Sequence, residues 1–198
     1  MLIEDSDIVV TALPVEDFKA HLRLGRGFAG DTVQDVVLES FLRAALSAIE
    51  GRTGKALITR NFTWVQAGWK HGERQIFPIA PVSQVTQITI LGTQSGPQVV
   101  DPARYQLEQD LHFPALCGRG AGLPLVSTDG SVRIEFTAGF GPGWSDLPPD
   151  LAQAVLLLAA HYYEHREATG LAGGCMPFGV TSLMERYRPL RLISGGRR

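Results

Sequence analysis

Apolar residues recur along this chain at two different periods. From Val15 onward, Val15, Phe18 and Leu22 repeat at three and four. Pro14 precedes that turn and Glu16 and Asp17 lie inside it, a combination that predicts a helix over 15–23, ended by Gly25 and Gly27. Asp31 supplies an N-cap for a long second helix, where Val33, Val36, Val37, Phe41, Ala44, Ala45, Ala48 and Ile49 form one apolar stripe running to Gly51 and Gly54. A third helix is predicted from Asp150 to Thr169: Pro148 and Pro149 open it, Leu151, Val155, Leu158 and Tyr162 share a face, and Gly170 stops it. A short helix over Val180–Tyr187 follows Pro177, Phe178 and Gly179.

Between these helical stretches the period drops to two. Phe62 and Trp64, then Val85, Ile88 and Ile90, then Tyr105 and Leu107, then Val132, Ile134 and Phe136 alternate with polar neighbours, the pattern of half-buried strands. Turn signals at Gly68, Gly92, Gly96-Pro97, Asp101-Pro102 and Asp129-Gly130 fit an antiparallel sheet or small barrel. Phe113 to Val126, with three glycines and Pro124, reads as a long loop. Neither helical stretch completes a core alone. The expected fold is therefore α+β: a helical bundle of two N-terminal helices plus a long C-terminal helix, with an inserted antiparallel β-strand block and an extended basic C-terminal tail. The expected boundaries are 1–59 and 146–187 for the two parts of the helical core, 60–145 for the β-rich block and 188–198 for the tail.

Composition narrows the function classes. The chain has 198 residues, 44% of them hydrophobic, and a net charge of −2, so the molecule as a whole is no electrostatic binder of nucleic acid or acidic membranes. The charge is uneven: residues 1–150 carry −5 and residues 151–198 carry +3, mostly from Arg186, Arg188, Arg191, Arg197 and Arg198. A short basic segment after a globular body commonly docks on something acidic, while a frayed, solvated terminus is the plainer reading. The longest apolar run, Ala154 to Ala160, falls far short of the roughly 20 residues a membrane span needs. The acidic start Met-Leu-Ile-Glu-Asp-Ser-Asp is unlike a secretory signal, so synthesis in the cytoplasm is expected. Cys117 and Cys175 are isolated and suggest neither a zinc knuckle nor a redox pair.

One motif carries candidate chemistry. His161-Tyr162-Tyr163-Glu164-His165 matches His-x-x-Glu-His, an inverted zinc-protease pattern on a predicted helix, where residues four apart can share a metal. A catalytic zinc needs a third protein ligand, and the side-chain carboxylates after His165 are only Glu167 and Glu185. His165 also continues the apolar stripe through Leu158 and Tyr162, so a packed or hydrogen-bonded histidine is the preferred reading and a zinc-dependent hydrolase the alternative. No phosphate-binding loop and no nucleophile elbow occur, and the helices show no basic recognition face. A small regulatory protein binding DNA through its tail is a third reading, marked by affinity that falls steeply with salt.

Several runs, taken in order, resemble tailed-phage and gene-transfer-agent head-tail connector (adaptor) proteins. These are Val15-Glu-Asp-Phe-Lys-Ala-His-Leu-Arg, Ala48-Ile-Glu-Gly-Arg-Thr-Gly-Lys-Ala-Leu, Phe136-Thr-Ala-Gly-Phe-Gly, Leu147-Pro-Pro-Asp-Leu, Ala154 through Glu167, and Pro177-Phe-Gly-Val with Leu183 and Tyr187-Arg188. The resemblance implies a non-enzymatic subunit, without metal or cofactor, in a ring that commonly has twelve copies. Such a ring sits beneath the capsid portal, extends the DNA channel without sequence-specific contact and meets a stopper-like tail-side component. It further implies assembly in the bacterial cytoplasm, then residence at the head-tail junction, with no membrane involved. Docking on the portal is expected from Arg186, Tyr187, Arg188, Leu190, Arg191, Leu192, Ile193, Arg197 and Arg198. Removing residues 187–198 is expected to leave the fold intact and abolish attachment.

Overall fold

The computed structural model describes residues 1–24, 32–92, 96–120, 122–166 and 176–189. It is an α+β fold with antiparallel sheets. Among these residues, helices α1 (Val15–His21), α2 (Thr32–Thr53), α3 (Pro149–Glu164) and α4 (Phe178–Met184) accompany eight strands. Five strands form one sheet in the order β1 (Leu2–Glu4), β2 (Arg60–Gln66), β8 (Ser131–Ala138), β4 (Val82–Leu91) and β5 (Gln98–Val99). A smaller sheet has the order β3 (Arg74–Ile76), β7 (Ala115–Gly118) and β6 (Tyr105–Glu108).

The helical side packs around Phe18, Leu38, Leu42, Leu46, Ile49, Leu151, Val155, Leu158, Val180 and Met184. Pro14 stands at the N-cap of α1, and Lys19 ties that helix to α2 through Asp35 at 2.6 Å while also holding Glu16 at 2.8 Å. Within α2 the apolar stripe differs from the expected one. Leu38, Leu42, Ala45, Leu46 and Ile49 face the core, whereas Val36, Val37 and Ala44 are exposed. The leucine-rich and valine-rich faces lie about half a turn apart, and the larger side chains win the core because they remove more apolar area from water.

In α3, Leu151, Ala154, Val155, Leu158 and Ala159 are buried as the pattern expects. The helix ends at Glu164 rather than continuing toward Thr169, because His165 leaves helical geometry and its ring Nδ1 sits 3.0 Å from the His161 carbonyl. The expected short helix over 180–187 begins earlier, at Phe178, and finishes as a 3-10 turn over Glu185–Tyr187. Asp31, Gly25, Gly27 and Gly170 lie outside the described residues.

The strand block has its own core of Phe62, Phe77, Ile88, Ile90, Leu116, Val132, Ile134 and Phe136. Phe136 contacts Phe62 and Phe77 with ring centroids 5.5 and 4.9 Å away. Beyond the short strands β3 and β5, which no alternation marks, two features depart from the pattern. Leu2–Glu4 adds an edge strand to β2, in a stretch where the sequence shows no alternation long enough to reveal it. The supposed loop from Phe113 to Val126 opens with β7, which pairs with both β3 and β6; Ala115 and Leu116 are adjacent and both buried, so the strand lacks the alternation that would mark it. Gly118 ends that strand where any side chain would collide, since a Cβ there would lie 2.2 Å from the Gly122 carbonyl carbon.

The two cores meet at the chain between α2 and β2. Ala56 is buried with the strands, and Leu57 and Ile58 with the helices. Arg60, whose side chain is 3% exposed, pairs at 2.8 Å with both Glu50 of α2 and Glu4 of β1. Glu50 also accepts a 2.7 Å hydrogen bond from the Leu57 amide, so one carboxylate binds the helix to the strand that follows it.

Candidate partner-binding site

Among the described residues, the basic C-terminal segment leaves the body beside the start of α3. Pro148 and Pro149 fix the backbone for the first turn, and Asp150 places a carboxylate where the free amides of the helix favour negative charge. Its Oδ1 accepts a hydrogen bond from the Leu151 amide at 3.0 Å and another from the Tyr187 hydroxyl at 2.7 Å. Its Oδ2 lies 3.6 Å from the Arg186 guanidinium, which also stands 5.1 Å over the Tyr187 ring.

Tyr187 is 2% exposed and meets Phe140 edge-on at 6.2 Å. Burial, then the hydrogen bond to Asp150, pushes its hydroxyl pKa up to about 12, so it stays a neutral donor throughout the physiological range. The residue is a lock between the segment and the body. Deleting it with the tail would expose Phe140 and leave Asp150 with only the Leu151 amide as donor, so a cut that spares the fold has to fall after it.

A groove of about 750 Å³ opens beside this lock, between the end of α4 and the loop before β7. Its apolar lining comes from Phe113, Leu183 and Pro189, and its charged rim from Asp150, Glu185, Arg186 and Arg188. The opposite wall is held by Asp110, whose Oδ1 accepts hydrogen bonds from the His112 and Phe113 amides at 2.7 and 2.6 Å. Those two bonds hold the Asp110 carboxyl below its ordinary value, the Phe113 contribution being the larger. Arg188 pairs only loosely with Glu185, at 3.6 Å, and both arginines are exposed at the rim. An apolar floor with loosely paired charges of both signs can seat an extended segment and satisfy ionised groups on it.

Of the expected docking residues, Arg186 and Arg188 stand on this rim and Tyr187 beneath it. Leu190, Arg191, Leu192, Ile193, Arg197 and Arg198 lie outside the described residues. Sequence reading missed Asp110, His112 and Phe113, which belong to a distant hairpin, and Asp150, whose place just after two prolines was the available signal. Phe178, the first residue of α4, is 87% exposed. Its side chain is the largest apolar group in this region left to water.

The His161-x-x-Glu164-His165 motif does lie at the end of a helix, with the two imidazole rings 4.3 Å apart. His165 is exposed rather than packed, and its Nδ1 is engaged with the His161 carbonyl. Among the described residues no group of three or more His, Cys, Asp or Glu is placed to hold a metal ion. No helix among them is long and apolar enough to cross a membrane.

No protein-family model matches the chain, and no curated protein does. Solved structures do, over 100% of this chain and 100% of each matched chain. One match is a chain in the neck of an empty GTA particle computed with C6 symmetry, at 50% identity and a TM-score of 0.89. A second is in the virion of a native gene transfer agent (GTA) particle, at 48% identity and a TM-score of 0.85. A third is in the neck of a native GTA particle computed with C12 symmetry, at 45% identity and a TM-score of 0.83.

Proposed function

The chain belongs to the head-tail connector family of tailed phages and gene transfer agents, and from that membership we propose that it is a structural adaptor subunit of a particle neck. The observation that carries this reading is the full-length match, at 50% identity, to a chain in such a neck. The C6 and C12 symmetries of the matched necks support a ring of copies, with twelve as the expected number. The role is architectural rather than catalytic: the matched chains are particle components, and the His161–His165 pair gains no support from them.

In this reading the subunit assembles in the bacterial cytoplasm and then stays at the head-tail junction. α1, α2 and α3 form a bundle that builds the ring wall. The strand block meets neighbouring copies or a stopper-like tail-side component. The basic segment from Arg186 onward docks on the portal, with Arg186 and Arg188 as charged anchors and Leu190, Arg191, Leu192, Ile193, Arg197 and Arg198 continuing the contact. Tyr187 holds the root of that segment to Asp150, so docking forces are passed to α3. DNA passes through the lumen without base readout, and the −5 charge of residues 1–150 suits a conduit that must not hold it.

The test is electron microscopy of the purified protein mixed with its cognate portal, beside the protein alone. A collar of added density on the tail-facing end of the portal is the expected result. Portals that stay bare across a range of salt concentrations would overturn the portal-docking reading.

A further inference from the structure

A helix that packs one face on a core ordinarily turns charged or strongly polar residues to water on the other. α2 does not. Between residues 36 and 52 its exposed positions are Val36, Val37, Ser40, Ala44, Ser47, Gly51 and Arg52, so charge reaches this face only in the last turn. Val36 and Val37 are 66% and 44% exposed. From Val36 to Gly51 the uncharged face runs for about 22 Å. The charged residues of the same helix lie to the side, half-buried and paired within the chain: Glu39 with Arg43 at 2.8 Å, and Glu50 with Arg60 at 2.8 Å.

We infer that this face of α2 is a lateral contact between adjacent copies of this chain, an inference that rests on the ring reading above. Two observations select a second copy as the occupant. The matched necks have C6 and C12 symmetry, so repeated subunits adjoin one another in them. The second is charge. Residues 1–150 carry −5, so identical bodies brought side by side repel unless they meet where charge is absent. The α2 face meets that condition. Serine, alanine and glycine there let another backbone approach closely, and the two valines supply apolar area that water otherwise covers. Because ring contacts are head-to-tail, the neighbour presents a different surface to α2, and one altered face interrupts every contact around the ring.

The experiment uses the full-length protein with its cognate portal. Ala44→Glu and Ser47→Glu are compared with Asp7→Arg, an exposed control in the loop between β1 and α1. Complete rings are counted by electron microscopy, and helix content and melting are followed on the free proteins by circular dichroism. Both glutamates suit an exposed helix position, so the free variants should melt like wild type. Complete collars should fall about tenfold or more, because every interface would bury an unpaired carboxylate, and Asp7→Arg should leave them unchanged. Using two positions keeps the test decisive if one variant melts early. Collars at wild-type frequency with either folded variant would overturn the inference while leaving the ring reading intact. Complete collars through which DNA ejection slows would place the face on the channel wall and overturn it equally. A wild-type protein that builds no ring fails the ring reading and this inference together.

Discussion

The helices and the strands of this molecule make their backbone hydrogen bonds on different length scales. On the helical side, Leu38, Leu42, Leu46 and Ile49 come from one local run, and α3 supplies most of what they pack against. In the strand block, β8 pairs residue for residue with β2, joining Phe62 to Phe136, although the two strands are separated by the chain from Ala67 to Gly130. Hydrogen bonds within a helix are local and form early, whereas the β2–β8 pairing and the packing of α2 on α3 must both first close a long loop. The seam formed by Glu4, Arg60 and Glu50 is where these two regimes are coupled. Side-chain changes on either side therefore test whether the molecule unfolds as one unit.

The largest effect is expected from Phe136→Ala. The ring is 1% exposed and contacts both Phe62 and Phe77, so its loss should cost about 3–5 kcal/mol. Denaturant melts followed by helix circular dichroism and, in a Trp144→Phe background, by the fluorescence of Trp64 and Trp69 in the strand block should shift together. If only the fluorescence transition moved, the helices would be an independent unit and the seam would not couple them.

Arg60→Met addresses the seam itself. It leaves Glu50 largely buried with only the Leu57 amide as partner, while Glu4 is free to hydrate, so a loss of about 2–4 kcal/mol is expected. The two probes should now separate, with β1 and β2 loosening first. Adding Glu50→Gln should recover part of the loss, because the uncompensated charge is then gone. A double variant no better than Arg60→Met would mean that packing of the arginine stem, rather than charge, sets the cost.

The same contrast decides what could be read from the chain. Helices α1, α3 and α4 were legible because their apolar spacing and their prolines act within a few residues. α2 was located correctly but rotated, since it carries two apolar faces and periodicity alone does not say which belongs to the core. β2, β4, β6 and β8 were visible through alternation. β1 has three residues and no exposed-to-buried pattern, and β7 is buried at two consecutive positions, so neither had a period to detect. The groove beside Tyr187 was half legible. Charge asymmetry pointed to Arg186 and Arg188, but Phe113 and Asp110 reach the groove only through the β6–β7 hairpin, and nothing local to them announces it.

Tyr187→Phe should have a smaller and pH-dependent effect. The ring still packs on Phe140, and only the hydrogen bond to Asp150 is lost, which amounts to about 1–2 kcal/mol. The folded state raises the hydroxyl from its ordinary 10.0 to about 12, which favours the neutral form. Its contribution is therefore complete below pH 10 and is lost as pH rises toward 12. Thermal melts of wild type and variant should differ by a constant amount from pH 7 to about 9.5 and converge between pH 10 and 12. A difference that persisted unchanged at pH 12 would show that the hydroxyl is not the source.

Least of all should be felt by the fold when Arg186 and Arg188 are both replaced by alanine. Both side chains are exposed, and their carboxylate partners lie at 3.6 Å, so stability should change by no more than about 0.5 kcal/mol. Attachment to the portal should weaken clearly, and raising salt should weaken wild type toward the variant, because exposed charges lose their reach as the screening length shortens. Cosedimentation of wild type and variant with portal rings at low and high salt separates the two effects. The arginines then affect binding without affecting folding, whereas Tyr187 affects folding and transmits the load. If the double variant bound portals with the affinity and salt dependence of wild type, the charged rim would be a solvated edge of the helical core, and portal docking would have to rest on the apolar residues beyond it.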